Sequence, residues 1–209
     1  MLFSKKVAKL MPSLLLKRAA KPKYRLFDNN DKLFKELLLD SVNYVEYGMG
    51  ASTCWVLNNT NANIISVDTS ATWINEVIKN NHSLLDRLTA HHIDLGQLRN
   101  WGYPISYDKR NRFIEYTDTP WQSGTEIDTV LIDGRFRVCC FLSVLKYSQE
   151  GTKIIFDDYV TRPHYHIVEK YAKREQESGR QCLFITPNKT TIDSLALQKD
   201  IDNFRHVFD

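Results

Sequence analysis

The sequence predicts an α/β protein: a doubly wound, mostly parallel sheet of six or seven strands with helices on both faces. Three observations predict it. Six short apolar runs, at residues 42–47, 62–67, 88–93, 127–132, 152–156 and 182–185, alternate with segments whose apolar residues recur at helical spacing; that is the pattern of βαβ units. The runs are nearly continuous in apolar residues, as strands covered on both faces are. Acidic residues end four of them, at Asp68, Asp94, Asp133 and the pair Asp157-Asp158, and Glu46 lies just inside the end of the first. Right-handed crossovers bring all such strand ends to one edge, where open α/β sheets bind ligands.

In order along the chain, the first run stops at Gly48, and residues 51–58 can open a helix. After Asp68, Trp73, Val77, Ile78 and Leu85 follow at helical spacing. Val138, Phe141, Leu142 and Leu145 mark a helix closed by Gly151, and Ile167, Val168 and Tyr171 mark another. A tail helix is expected from Ile192, Leu195, Ile201 and Phe204; no seventh run is evident after residue 185. Residues 95–126 have little periodicity. A connection that long in a compact domain reads as a lid or acceptor-binding insertion, with a decorative loop as the alternative.

With 209 residues, 43% hydrophobic and 25% charged, the chain suits one domain. No stretch approaches 18 apolar residues, so no spanning helix is expected. The net charge of +3 is uneven: residues 1–27 carry +8 and no acid, which leaves −5 for the remainder. The division is therefore a basic N-terminal extension, 1–27, and a domain, 28–209. The charge of the body excludes nucleic acid as a partner. The arm, with Leu2, Phe3, Val7, Leu10, Leu14 and Leu15 on one side, can lie on anionic lipid or pack on the body as a lead-in helix. The expected location is cytoplasmic, membrane-peripheral if the arm binds lipid; oligomerisation is left open. Cys54, Cys139, Cys140 and Cys182 have neither C-x-x-C nor zinc-ligand spacing and read as buried reduced thiols.

The strongest local signal is Glu46-Tyr47-Gly48-Met49-Gly50-Ala51-Ser52-Thr53. Glycines between a strand and a helix let the backbone turn tightly and approach a ligand, and the helix start favours an anionic group. Asp68, with Thr69 beside it, ends the next strand, where a carboxylate can accept hydrogen bonds from ribose hydroxyls. The dinucleotide fingerprint requires glycine where Thr53 stands, which disfavours a nicotinamide cofactor.

These residues resemble the first motif of the class I S-adenosylmethionine-dependent methyltransferases, a Rossmann-like family, over roughly residues 42–160 and more weakly to about 187. Glu46, Gly48 and Gly50 match; Ser52 replaces a frequent third glycine, with Thr53 next to it. The resemblance implies that the glycine turn passes the methionine end of the cofactor, that Asp68 holds its ribose and that Asp94 meets its adenine. It also implies that the first, fourth and fifth strands are neighbours, so that Asp133, Asp157 and Asp158 converge beside the transferred methyl. Three carboxylates together call for a hard dication such as Mg²⁺ or Ca²⁺. The alternative is that Asp157 caps the next helix and Asp158 pairs with Arg162 or Arg135. The layout is similar to the metal-dependent O-methyltransferases. Asp133-Gly134-Arg135-Phe136 and Asp157-Asp158-Tyr159 are most similar to macrocin-type sugar enzymes, which implies Mg²⁺ and a sugar, glycan or other small-molecule acceptor. A metal acidifies the hydroxyl it binds. Candidate bases are Asp133, His164 and His166. Arginine cannot replace the lysine of catechol-type relatives as a base, so Arg135 reads as a binder of phosphate or carboxylate on the acceptor. Two rivals stand beside this reading: an NAD(P)-dependent enzyme, and a non-catalytic methyltransferase-like subunit that binds a partner.

Overall fold

The computed structural model describes residues 26–208; the basic arm proper lies outside the described residues. Leu26 and Phe27, the last two residues assigned to the extension, are buried in the body. The expected sheet is present, with seven strands in the order β3-β2-β1-β4-β5-β7-β6. These are β1 (Asn43–Tyr47), β2 (Asn63–Asp68), β3 (Leu88–His92), β4 (Thr129–Ile132), β5 (Lys153–Phe156), β6 (Arg174–Ser178) and β7 (Gln181–Ile185). The first five pair in parallel. β7 runs antiparallel to both β5 and β6.

Among the described residues six α-helices accompany the sheet: α1 (Lys32–Leu39), α2 (Ala51–Asn59), α3 (Ala71–Asn80), α4 (Phe113–Asp118), α5 (Arg137–Tyr147) and α6 (Ser194–Phe204). Alternate strand residues enter separate cores, because successive side chains point to opposite faces. Val45, Tyr47, Val130, Ile132, Ile154 and Phe156 join α5 and α6 on one face. Tyr44, Ile64, Leu131 and Ile155 meet α1 and α2 on the other, with Phe27 packed edge-on against Phe34. Asp193 caps α6 by accepting from the Leu195 and Ala196 N–H groups, each at 3.0 Å.

The sequence expectation needs three revisions. The missing seventh strand exists, but it precedes residues 182–185 instead of following them. Its sequence, R-E-Q-E-S, is polar because β6 is a solvent-facing edge strand paired on one side only. The helix expected near Ile167 is a 3-10 segment, Pro163–Lys170. The long connection holds α4 and several 3-10 turns, and Phe113 and Tyr116 of α4 are buried against the sheet.

The turn after β1 depends on close approach of two backbones. Gly48 has φ +100°, and a Cβ there would lie 2.9 Å from the carbonyl carbon and oxygen of Asp133 and from the Gly134 Cα. Gly134 in turn lies against the Gly48 nitrogen. Gly48→Ala therefore combines a left-handed backbone with a backbone clash, and is expected to cost about 2–4 kcal/mol. Urea unfolding of the variant measures it. Gly50 differs: its φ is 174° and a Cβ would meet nothing within 4 Å, so alanine there fills open cleft space and leaves the fold intact.

Candidate functional site

The strand ends border one cleft of about 500 Å³. Of the residues expected at a site, Gly48, Gly50 and Ser52 line it from the glycine turn and the start of α2. Asp68 and Thr69 line it from the end of β2, and Asp133, Arg135 and Asp158 from beyond β4 and β5. Glu46, Thr53, Asp94, Asp157 and His164 do not line it.

Each of these five is placed elsewhere for a physical reason. Glu46 is fully buried beneath the turn. Its carboxylate accepts hydrogen bonds from the hydroxyls of Tyr44 at 2.9 Å, Ser52 at 2.8 Å and Ser66 at 3.0 Å, and from that of Thr53. Thr53 Oγ1 also accepts from the Gly50 N–H at 2.9 Å. Glu46 and Thr53 thus brace the turn from inside and do not line the cleft. Asp94, expected at an adenine, is turned outward and pairs with Lys109. Asp157 is fully buried behind the cleft. His164 sits exposed on the 3-10 segment with its ring 4.3 Å from that of Tyr165 and does not line the cleft. His166, whose Nε2 can donate to the Tyr159 carbonyl at 3.3 Å, is also outside it.

Burial raises the Glu46 pKa from 4.5 to about 7, against its four hydroxyl partners. The folded state thus holds this proton to higher pH than the unfolded chain does. The stability it contributes is complete below about pH 4.5 and lost as pH rises through about 7, up to roughly 3 kcal/mol. Thermal unfolding should show melting temperature falling between pH 5 and 8, with the slope reduced in Glu46→Gln.

Asp68 is held by two backbone donors, the Met49 N–H at 2.8 Å and the Ser70 N–H at 2.6 Å. Burial raises its pKa, with those donors acting in the opposite sense. Each carboxylate oxygen keeps a second lone pair for a ligand. Thr69 donates to the Gly102 carbonyl at 2.9 Å, which ties the turn at Asn100–Gly102 to the cleft edge. Trp101 of that turn has φ +63° and is 79% exposed; Trp73 of α3 is 51% exposed. Both border the cleft. Trp73, read in the sequence only by its helical spacing, is a rim residue of the cleft.

Asp133, Asp157 and Asp158 come together: one ligand oxygen from each lies within 4.8 Å of the others. The donor set fits Mg²⁺ or Ca²⁺. The same carboxylates are also met by guanidinium groups. Arg137 lies 3.2 Å from Asp133 and 3.3 Å from Asp158. Arg162 lies 2.8 Å from Asp158, the pairing read as the alternative in the sequence. Arg180 lies 2.7 Å from Asp157 and 3.4 Å from Asp158. Three acids thus face three fixed cations. Arg137 is only 3% exposed and also donates to the carbonyls of Gly134 at 3.0 Å and Asp157 at 2.6 Å. Burial raises the Asp133 pKa, with Arg137 opposing; burial and then Asp133 raise that of Asp157. Phe136 and Asp158, with φ of 56° and 58°, are left-handed at these strand ends, a conformation concentrated at functional sites. Sequence reasoning missed Arg180, which arrives on the turn between β6 and β7.

No protein-family model matches the chain, and no curated protein sequence does. Among solved structures it is similar to a methyltransferase-like protein from Silicibacter pomeroyi, 24% identical, with a TM-score of 0.74 and coverage of 84% of this chain and 92% of that one. It is also similar to cofactor-bound Rv0187 from MTB, 13% identical, with a TM-score of 0.52 and coverage of 81% and 84%. The chain shares the fold of these structures, a Rossmann-like, mostly parallel seven-stranded sheet with helices around it. In that fold the cleft lies at the C-terminal ends of the parallel strands, as it does here. Among the described residues no helix is long and apolar enough to cross a membrane.

Proposed function

We propose that the protein is an S-adenosylmethionine-dependent methyltransferase whose acceptor atom is a hydroxyl oxygen. The observation that carries the reading is convergence: Gly48 and Gly50, Asp68 with Thr69, and Asp133 with Asp158 open into one cleft. S-adenosylmethionine would supply a methyl group activated by a sulfonium. Asp68 is placed to accept from two ribose hydroxyls while its backbone donors fix it. The open space at Gly50 leaves room for the methionine end. Asp133, like Asp68, is a cleft carboxylate whose pKa burial raises; with Asp68 assigned to the ribose, Asp133 is the one that suits the proton released when the acceptor oxygen takes the methyl. Holding both reactants in one cleft supplies much of the acceleration.

Mg²⁺ belongs to this reading as a finer part. Asp133, Asp157 and Asp158 would hold it, and it would lower the pKa of an acceptor hydroxyl. Because guanidinium groups already meet these oxygens, binding the ion requires Arg162 or Arg180 to withdraw. A sugar or glycan acceptor rests on the resemblance of residues 133–136 and 157–159 to the macrocin-type enzymes, and the basic arm as a membrane contact rests on its charge.

The test is transfer of labelled methyl from S-adenosylmethionine to free and phosphorylated monosaccharides, with and without Mg²⁺. Label on a hydroxyl, lost in Asp133→Asn, supports the reading. Nucleoside binding with no transfer to any hydroxyl would favour the non-catalytic binding subunit.

A further inference from the structure

Among the described residues, one cationic side chain in the cleft is left with donors unused. Arg135 is 6% exposed, and its Nε and Nη1 are buried with no hydrogen-bond partner. Arg137, Arg162 and Arg180 around it each meet a carboxylate. The Arg135 guanidinium is held flat by the Tyr103 ring, with Cζ 3.9 Å from the ring centroid. Its backbone N–H is anchored on the Tyr116 hydroxyl at 3.3 Å. Arg135, Tyr103 and Tyr116 all border the cleft. A buried guanidinium with unused donors is costly unless an anion meets it, and its planar fork suits two oxygens of one group.

We propose that Arg135 recognises a carboxylate or phosphate carried by the acceptor, so that the substrate class is an anionic hydroxyl compound. The proposal rests on the methyltransferase reading and narrows its acceptor. One placement favours the acceptor over the cofactor's own carboxylate. The start of α2, at Ala51 and Ser52, borders the cleft beside Gly50 and offers N–H groups without helical partners to the cofactor carboxylate.

The experiment titrates inorganic phosphate into the full chain saturated with S-adenosylhomocysteine, following the arginine Nε–Hε resonances by NMR. S-adenosylhomocysteine and 5′-methylthioadenosine are titrated separately by calorimetry. The expected result is that phosphate shifts the Arg135 resonance. Arg135→Gln should weaken phosphate binding by about tenfold or more and change S-adenosylhomocysteine affinity by less than about threefold. Arg135→Lys should retain part of the phosphate affinity. Phosphate binding unchanged in Arg135→Gln, or none in the loaded wild-type protein, overturns the proposal. So does a tenfold loss of S-adenosylhomocysteine with methylthioadenosine unaffected, which would assign Arg135 to the cofactor's carboxylate. Absence of S-adenosylhomocysteine binding to wild-type protein would instead refute the methyltransferase reading beneath it.

Discussion

Arg137→Met is expected to destabilise the protein by about 3–5 kcal/mol, the usual cost of breaking a buried ion pair from one side. The wild-type guanidinium joins Asp133, Asp158 and the carbonyls of Gly134 and Asp157 while only 3% exposed. Methionine fills much of the volume but leaves two carboxylates short of a partner and two buried carbonyls without a donor. Total stability of a domain is about 5–15 kcal/mol, so the loss brings the variant near unfolding at ambient temperature. Urea unfolding measures it. A loss below about 1 kcal/mol would mean that the acids do not depend on this cation. Mg²⁺ added to the variant gives a second readout: if the three aspartates hold the ion, it should restore stability, because metal then replaces the missing charge.

The second large effect is at Asp68. Asp68→Ala should weaken S-adenosylhomocysteine binding by about 100-fold, the equivalent of about 3 kcal/mol for two charge-assisted hydrogen bonds to ribose. Part of the loss comes from the turn itself, because the same carboxylate holds the Met49 and Ser70 N–H groups. Asp68→Asn separates the contributions. Its amide oxygen can keep one backbone donor, and the side-chain volume is unchanged. Calorimetric titration of both variants, alongside their unfolding curves, should show affinity falling further than stability. Equal affinity in wild type and Asp68→Ala would remove the ribose from this end of the cleft.

Much of this architecture was legible in the chain, because buried parallel strands must be apolar along their whole length. Ile64, Val67, Val130 and Ile132 signal their strands for that reason. β6 was not legible: Arg174, Gln176 and Glu177 face solvent at an edge, where burial imposes no pattern. Helix α1 carries Leu33, Phe34 and Leu38 on a buried face, but it precedes the first strand and so lies outside the strand–helix alternation that marks the sheet. At the site, Gly48 and Asp68 could be read because a glycine turn and a strand-end carboxylate are local features. The role of Glu46 could not, since its four hydroxyl partners come from β1, β2 and α2 together. Arg180 was equally hidden, as its contact with Asp157 depends on a hairpin that reverses direction beside β5. Crowded aspartates suggested a metal; the chain itself also supplies arginines to them, of which the sequence offered Arg162 but neither Arg137 nor Arg180.

The most direct test of the account is calorimetric titration of the wild-type chain with S-adenosylhomocysteine. One site per chain, with micromolar affinity that falls in Asp68→Ala, is the predicted result. No heat at millimolar ligand, or binding that is indifferent to Asp68, would contradict it.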